Sequence, residues 1–190
     1  MDSLRRHCRA TAHLSRIVSQ HTSKAEDQAF LCGLLHDVGI AGILLVLGDV
    51  ERGKKPPDLT PLWPAIDAAH AKAGARMVVL WGLPPEIAMA VGAHHQVRIG
   101  ADFDHPVAAT ICLAEALATE LDLGLAPSRD GEHEPTEPDL AGLLLHDGID
   151  KSDAVTLGRA REALALDEPK YDLVRLSAAK WAQSADGAAG

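Results

Sequence analysis

Three observations predict an all-α fold. Hydrophobic residues make up 47% of the chain but aromatic ones only 3%, so the core must be built from Ala, Leu, Val and Ile. Ala and Leu lose little conformational freedom in a helix. Apolar residues recur at helical spacing, whereas no alternating strand pattern and no Gly-rich phosphate loop occurs. With 190 residues there is material for one substantial core, and a second independent core is not expected.

The first helix is expected over about Ser3 to Ser19, with Ala10, Leu14, Ile17 and Val18 on one stripe. His7 shares a face with Ala10, Thr11 and Leu14, so it should point inward. Ser23 and Glu26 fit a capping box opening a second helix that reaches His36. Gly39 and Gly42 then permit a bend before Ile43 to Leu47. The segment Gly53 to Pro61 is a loop by composition. A long helix should follow over Leu62 to Trp81, with Ile66, His70, Ala73 and Val78 inward. Gly82-Leu83-Pro84-Pro85 breaks it, and a proline starts the next helix, which ends near His94-His95. After a loop through Gly100, Asp102 and Asp104, a helix over Pro106 to Leu121 carries Val107, Ile111, Leu113 and Leu117.

The expected organisation is a metal-binding helical core over 1–125, then an acidic, proline-containing flexible loop over 126–138. C-terminal helices over 139–184 should pack on that core, around Leu140–Leu145, Ala154–Ala165 and Tyr171–Ala182, ahead of a disordered tail at 185–190.

The formal net charge of −9 argues against a nucleic-acid-binding surface, which needs a basic stripe. It leaves room for a small phosphorylated molecule held by metal and a few local cations. Cys8, Cys32 and Cys112 form no CxxC and read as free thiols in a reducing compartment. No signal peptide is visible, and the apolar run near Gly39 to Leu47 is too short for a bilayer. A cytoplasmic protein without membrane contact is expected. Its alanine-rich helices offer faces for a homodimer.

Function turns on the histidines. His13, His21, His105, His133 and His146 read as surface, capping or loop residues. His36 and Asp37 instead close the apolar run Phe30-Leu31-Cys32-Gly33-Leu34-Leu35, where burying a carboxylate without a partner costs several kcal/mol. A cation would remove that penalty. His94 and His95 also end an apolar helix, and adjacent ligands there can diverge toward two ions. Imidazole and carboxylate together suit divalent Fe, Mn, Zn or Ni. A helical scaffold with leftover polar residues is the competing explanation. No nucleophile elbow and no HExxH is present.

The ordered set His7, His36-Asp37, His70 and His94-His95 resembles the HD superfamily of metal-dependent phosphohydrolases. The local text is closer to its HDOD branch, the HD-related output domains of bacterial signalling proteins. Leu4-Arg5-Arg6-His7, the stretch Ala29 to Gly39, Trp81-Gly82-Leu83-Pro84, His105-Pro106 and Cys112 to Leu117 complete the likeness, which covers roughly Leu4 to Gly124. It implies an HD-domain-like helical bundle with one or two divalent transition-metal ions. His7, His36, Asp37 and Glu115 would hold one ion, and Asp37 would bridge to a second held by His70, His94 and His95. A bridging water of lowered pKa would attack a phosphomonoester, nucleotide or cyclic nucleotide, with Asp37 catalytic. Lys72 and Arg98 are the nearest candidates for substrate phosphate contacts.

Departures from the pattern favour an alternative, a non-catalytic signalling module whose partner is a protein. Glu115 stands where the HD pattern has its last aspartate, and Ile40 where many HD enzymes have lysine. The GYP signature of cyclic-dinucleotide-cleaving relatives is absent after His95. HDOD proteins also usually carry a helical region ahead of this segment, expected here to be absent or removed.

Overall fold

The computed structural model describes residues 2–22, 28–48, 60–99, 103–125 and 151–187. The fold is all-α. Helix α1 (Asp2–Gln20) is followed by α2 (Ala29–Leu35) and α3 (Val38–Leu47), then by a short 3-10 turn (Thr60–Leu62) leading into α4 (Trp63–Leu80). Next come α5 (Pro85–Ala93), α6 (Pro106–Glu120), α7 (Lys151–Ala163) and α8 (Glu168–Gly187). Prolines open α4, α5 and α6, where the missing N–H would have had no helical partner.

Helix α1 buries Ala10, Thr11, Leu14 and Val18 along one stripe, and His7 lies on that same buried side. The stripe rests on α2, α6 and α8. Helix α6 is the central strut, buried nearly all round from Ala108 to Ala114, as expected of a helix wrapped on every side. One cluster joins Leu14, Val18, Leu113 and Leu117 to Ala160, Leu164 and Val174 of the C-terminal pair. A second joins Cys32, Val78, Ile87, Val91 and Ile111. A third gathers Leu4, Ile40, Trp63 and Ile66.

Several elements differ from the sequence expectation. The break in the apolar stretch falls at His36-Asp37, and α3 runs uninterrupted through Gly39 and Gly42. These glycines serve packing instead of bending. A Cβ on Gly39 would overlap the His70 carbonyl oxygen, and one on Gly42 would overlap the Met77 sulfur. At Gly39 the backbones of α3 and α4 therefore touch with no side chain between them, while at Gly42 the Met77 side chain fills the gap. On α4 it is Gly74, not Ala73, that is buried beside His70. The loop after His95 contains a two-residue antiparallel ribbon, β1 (Arg98–Ile99) with β2 (Phe103–Asp104). It is launched by Val97, which is fully buried at a φ of 61°, a left-handed conformation uncommon for a β-branched residue. The last helix continues to Gly187, beyond the expected Ala182.

By length and composition Ala29–Leu47 would be apolar enough to cross a membrane. In this fold it is two helices joined at a buried His-Asp turn, packed on α1 and α4. The proposed capping box at Ser23, the acidic segment 126–138, the helix at Leu140–Leu145, His133 and His146 lie outside the described residues.

Candidate metal centre

His36 and His94 each occupy the position just past a helix C-terminus, where the last carbonyls have no helical N–H partner. Their Nδ1–H groups take those carbonyls: His36 donates to Gly33 O at 2.8 Å and His94 to Val91 O at 2.6 Å. His70, inside α4, donates from Nδ1 to the Asp67 carbonyl, and His7 donates to Leu123 O at 3.2 Å. A carbonyl can only accept, so all four rings carry a proton on Nδ1. Their Nε2 atoms point into the cluster and, in a neutral ring, offer a lone pair there, the orientation that metal-ligating histidines adopt.

Those lone pairs converge. Nε2 of His36 lies 3.2 Å from Nε2 of His7, and Nε2 of His70 lies 3.3 Å from that of His94 and 2.9 Å from that of His95. Asp37 stands between the two sets. Its Oδ2 is 3.2 Å from His36 Nε2 and 3.6 Å from His7 Nε2, while Oδ1 is 3.4 Å from His70 and 3.9 Å from His94. Glu115 Oε1 reaches within 3.4 Å of His36 Nε2. Asp37 is the N-cap residue of α3, yet its side chain makes no cap bond, which leaves both oxygens for the imidazoles.

Two neutral rings meeting lone pair to lone pair need a positive charge between them. A proton satisfies one pair, whereas here three or four donors crowd together. The first set is His7, His36, Asp37 and Glu115, the second His70, His94 and His95, and within each set the donor atoms lie within 4.8 Å of one another. Ligands held about 2.1 Å from a central ion sit about 3.0–3.4 Å apart at tetrahedral or octahedral edges. Five of the contacts, at 3.2–3.4 Å, fall at that spacing, and His70–His95 at 2.9 Å lies just below it. The donor set therefore suits a metal ion, and Asp37 stands between its two groups.

Electrostatics follow from burial. Burial opposes a charge on His36, but Asp37 and Glu115 outweigh it and hold the imidazole well above its ordinary pKa. Burial likewise pushes Asp37 up, but His36, His7 and His94 pull it well below the usual carboxylate range. Glu115 is lowered too, by His95, His94 and His36 against its burial. His94 is pushed down to about 3, chiefly by burial. The nearby thiol of Cys8 is driven up to about 11 and that of Cys32 to about 12, both mainly by burial, so neither is a ready nucleophile.

The structure brings together His7, His36, Asp37, His70, His94, His95 and Glu115. His95 differs from the rest: its side chain is 52% exposed, at the mouth of the cluster. Lys72 is exposed, two residues past His70 and so about 200° further round α4. Arg98 begins β1, and its side chain lies outside what the structure describes. His105 caps α6, accepting from Ala108 N. Residues 1–97 match the HDOD domain family, over half of the chain.

The chain belongs to the HDOD domain family.

The matched region contains six of the seven clustered residues, and Glu115 lies beyond it on α6. No curated protein and no solved structure matches the chain. The HDOD match agrees with the helical fold, since these are HD-related output domains built from helices. Sequence reasoning alone left unseen the carbonyls that fix the ring tautomers. A signal for two of them existed, since His36 and His94 each directly follow a helix end.

Proposed function

We propose that this HDOD domain is a metal-dependent phosphohydrolase of bacterial signalling, acting on a phosphomonoester, nucleotide or cyclic nucleotide. One observation carries the reading: two sets of imidazole and carboxylate donors, each compact enough for one ion, share Asp37. His7, His36, Asp37 and Glu115 would hold one ion, and His70, His94, His95 and Asp37 the other. Divalent ions bound there would neutralise phosphate charge and supply an acidified water for hydrolysis.

The chain's own contribution is preorganisation. Four backbone carbonyls fix the tautomers of His7, His36, His70 and His94, so their lone pairs need no reorientation. Asp37 supplies the charge that both sets need. The apolar clusters around them keep bulk water off His7, His36, Asp37, His70 and His94, while Glu115 is partly and His95 half exposed, which marks the side from which a substrate would approach.

A second reading is a non-catalytic signalling or protein-interaction module. Ile40, at the position where HD enzymes often have lysine, is buried against Leu4, Trp63 and Ile66, so that position offers no cation to a phosphate. Elemental analysis of protein purified without chelator or metal affinity, followed by assay of the same sample on generic phosphomonoesters and diesters, separates the two. Bound metal with turnover supports hydrolysis. Bound metal without turnover favours the module, and metal-free, inactive protein removes the metal reading.

A further inference from the structure

We propose that one end of the α3–α4 pair is a homodimer interface, where a second copy of this chain covers Leu45, Val46, Leu47, Val79, Leu80 and Trp81. The inference does not depend on the centre carrying ions or on any turnover.

Helix α3 has no polar side chain anywhere along its length. A helix that is apolar all round belongs in a core or against another apolar body. The central strut α6 meets that rule, but in α3 only Gly39 and Ile40 are buried. Of the apolar stretch Ala29–Leu47 as a whole, 33% is buried. What α3 leaves uncovered lies at its C-terminal end, with Leu45 68% and Val46 78% exposed. The last turn of α4 does the same, with Leu80 72% and Trp81 52% exposed. Gly39 meets His70 and Gly74, and Gly42 meets Met77, so the two helices run in the same direction. The next turn of α3 therefore comes beside the last turn of α4, and the exposed side chains form one patch.

The size of that patch suits a second copy. At these exposures the six side chains present roughly 500 Å² of apolar surface, at the upper end of what a typical monomer leaves open. Two copies joined here would remove roughly 1,000 Å² before any rim atom is counted, which reaches the area of a specific interface. Trp81 supplies the kind of large anchor that carries most of the energy in such contacts.

Charge makes the surface complementary to itself. Arg76 is exposed one turn before Val79 and Leu80, and Glu86 is exposed at the start of α5, beyond Trp81. A two-fold axis across the patch sets the copies antiparallel and brings Arg76 of one toward Glu86 of the other. A lipid surface suits the patch less well. Anionic headgroups repel a chain of net charge −9, and α3, about 15 Å long, is half the depth of a bilayer core.

Sedimentation velocity of the full chain across micromolar concentrations tests this. Wild type is expected to reach twice the chain mass of 20.1 kDa. Val46→Lys and Leu80→Lys should each raise the dimer dissociation constant at least about tenfold, with the helical circular dichroism unchanged. Val155→Lys, at a 63% exposed position on α7, should dimerise as wild type does. Arg76→Glu should weaken the dimer and adding Glu86→Arg should restore it; no recovery would overturn the two-fold arrangement. If one lysine variant does not fold, the other carries the comparison. A monomeric wild type, or a dimer that survives both lysine variants, would overturn the interface. A monomer that floats with phosphatidylcholine–phosphatidylglycerol vesicles would assign the patch to lipid instead. A monomer whose melting temperature falls on Val46→Lys would assign it to the chain's own residues 49–59.

Discussion

Oδ1 of Asp37 lies 3.4 Å from Nε2 of His70, and Oδ2 of the same carboxylate lies 3.2 Å from Nε2 of His36. One side chain on the turn between α2 and α3 thus contacts imidazoles from the end of α2 and from α4. That double contact is the reason to treat the seven residues as one centre.

Asp37→Asn keeps the shape and removes the charge. The variant should lose at least one ion and all phosphoester turnover, while its far-ultraviolet circular dichroism stays helical. In the metal-free protein the change also strips a buried imidazolium of its partner, a cost of about 3–5 kcal/mol unless His36 releases its proton. Metal content, hydrolysis and denaturant midpoint, measured together, check the prediction. Retention of both ions would remove Asp37 from the shared position.

Ion loading should stabilise the fold. A ligand that binds only the native state at about 100 times its Kd contributes about 2.7 kcal/mol. For a domain of this size that corresponds to a rise in Tm of about 5–10 °C. Melting curves with Mn²⁺ or Zn²⁺, reversed by chelator, measure it. Identical curves with and without ions would mean that the donors do not bind them.

Metal-free stability should peak near the ordinary histidine pKa of 6.5 and fall on both sides. His94 is depressed to about 3 from 6.5, so its contribution is complete above 6.5 and is lost as pH falls toward the folded value. His36 is raised above 6.5, so its contribution is complete below 6.5 and is lost as pH rises through its folded pKa. Each pKa unit is worth about 1.4 kcal/mol, which puts the acid limb at a few kcal/mol. Urea denaturation of chelated protein across this range supplies the profile. A flat or steadily rising curve would contradict it.

Two glycines should respond oppositely to alanine. At Gly39 a Cβ would collide with the His70 carbonyl oxygen and the Gly74 nitrogen, backbone atoms that cannot swing aside. Overpacking of this kind costs about 1–3 kcal/mol or more, and the displaced α4 should carry His70 away from Asp37. At Gly158 on α7 nothing lies within 4 Å of the added carbon, so alanine should stabilise by about 0.5–1 kcal/mol through helix propensity. Thermal melts of both variants, with Zn²⁺ stoichiometry for Gly39→Ala, make the comparison.

Much of this arrangement is local and hence legible in the sequence. The inward face of His7 follows from the stripe through Ala10, Thr11 and Leu14, and the start of α5 follows from Pro85. The polar His36-Asp37 pair ending an apolar run already signals a charge in need of a partner. Other features depend on contacts distant in sequence. Gly39 reads as a bend until α4 lies against it, because a missing side chain looks the same in either role. His95 reads as buried beside His94, but α5 has ended and Val97 turns the chain away in a left-handed conformation that no glycine advertises. The ribbon at Arg98–Ile99 and Phe103–Asp104 is too short for any alternation to register.

The bare backbone contact between Gly39 and His70 also bears on what such a chain can lose over time. An imidazole of the cluster can be exchanged for an apolar side chain of similar volume without overfilling the core. Gly39 has no such substitute, since even one methyl group would separate α3 from α4. A lineage could exchange its histidines one by one and keep its shape. The glycine would stay, recording the helix crossing after the chemistry had gone.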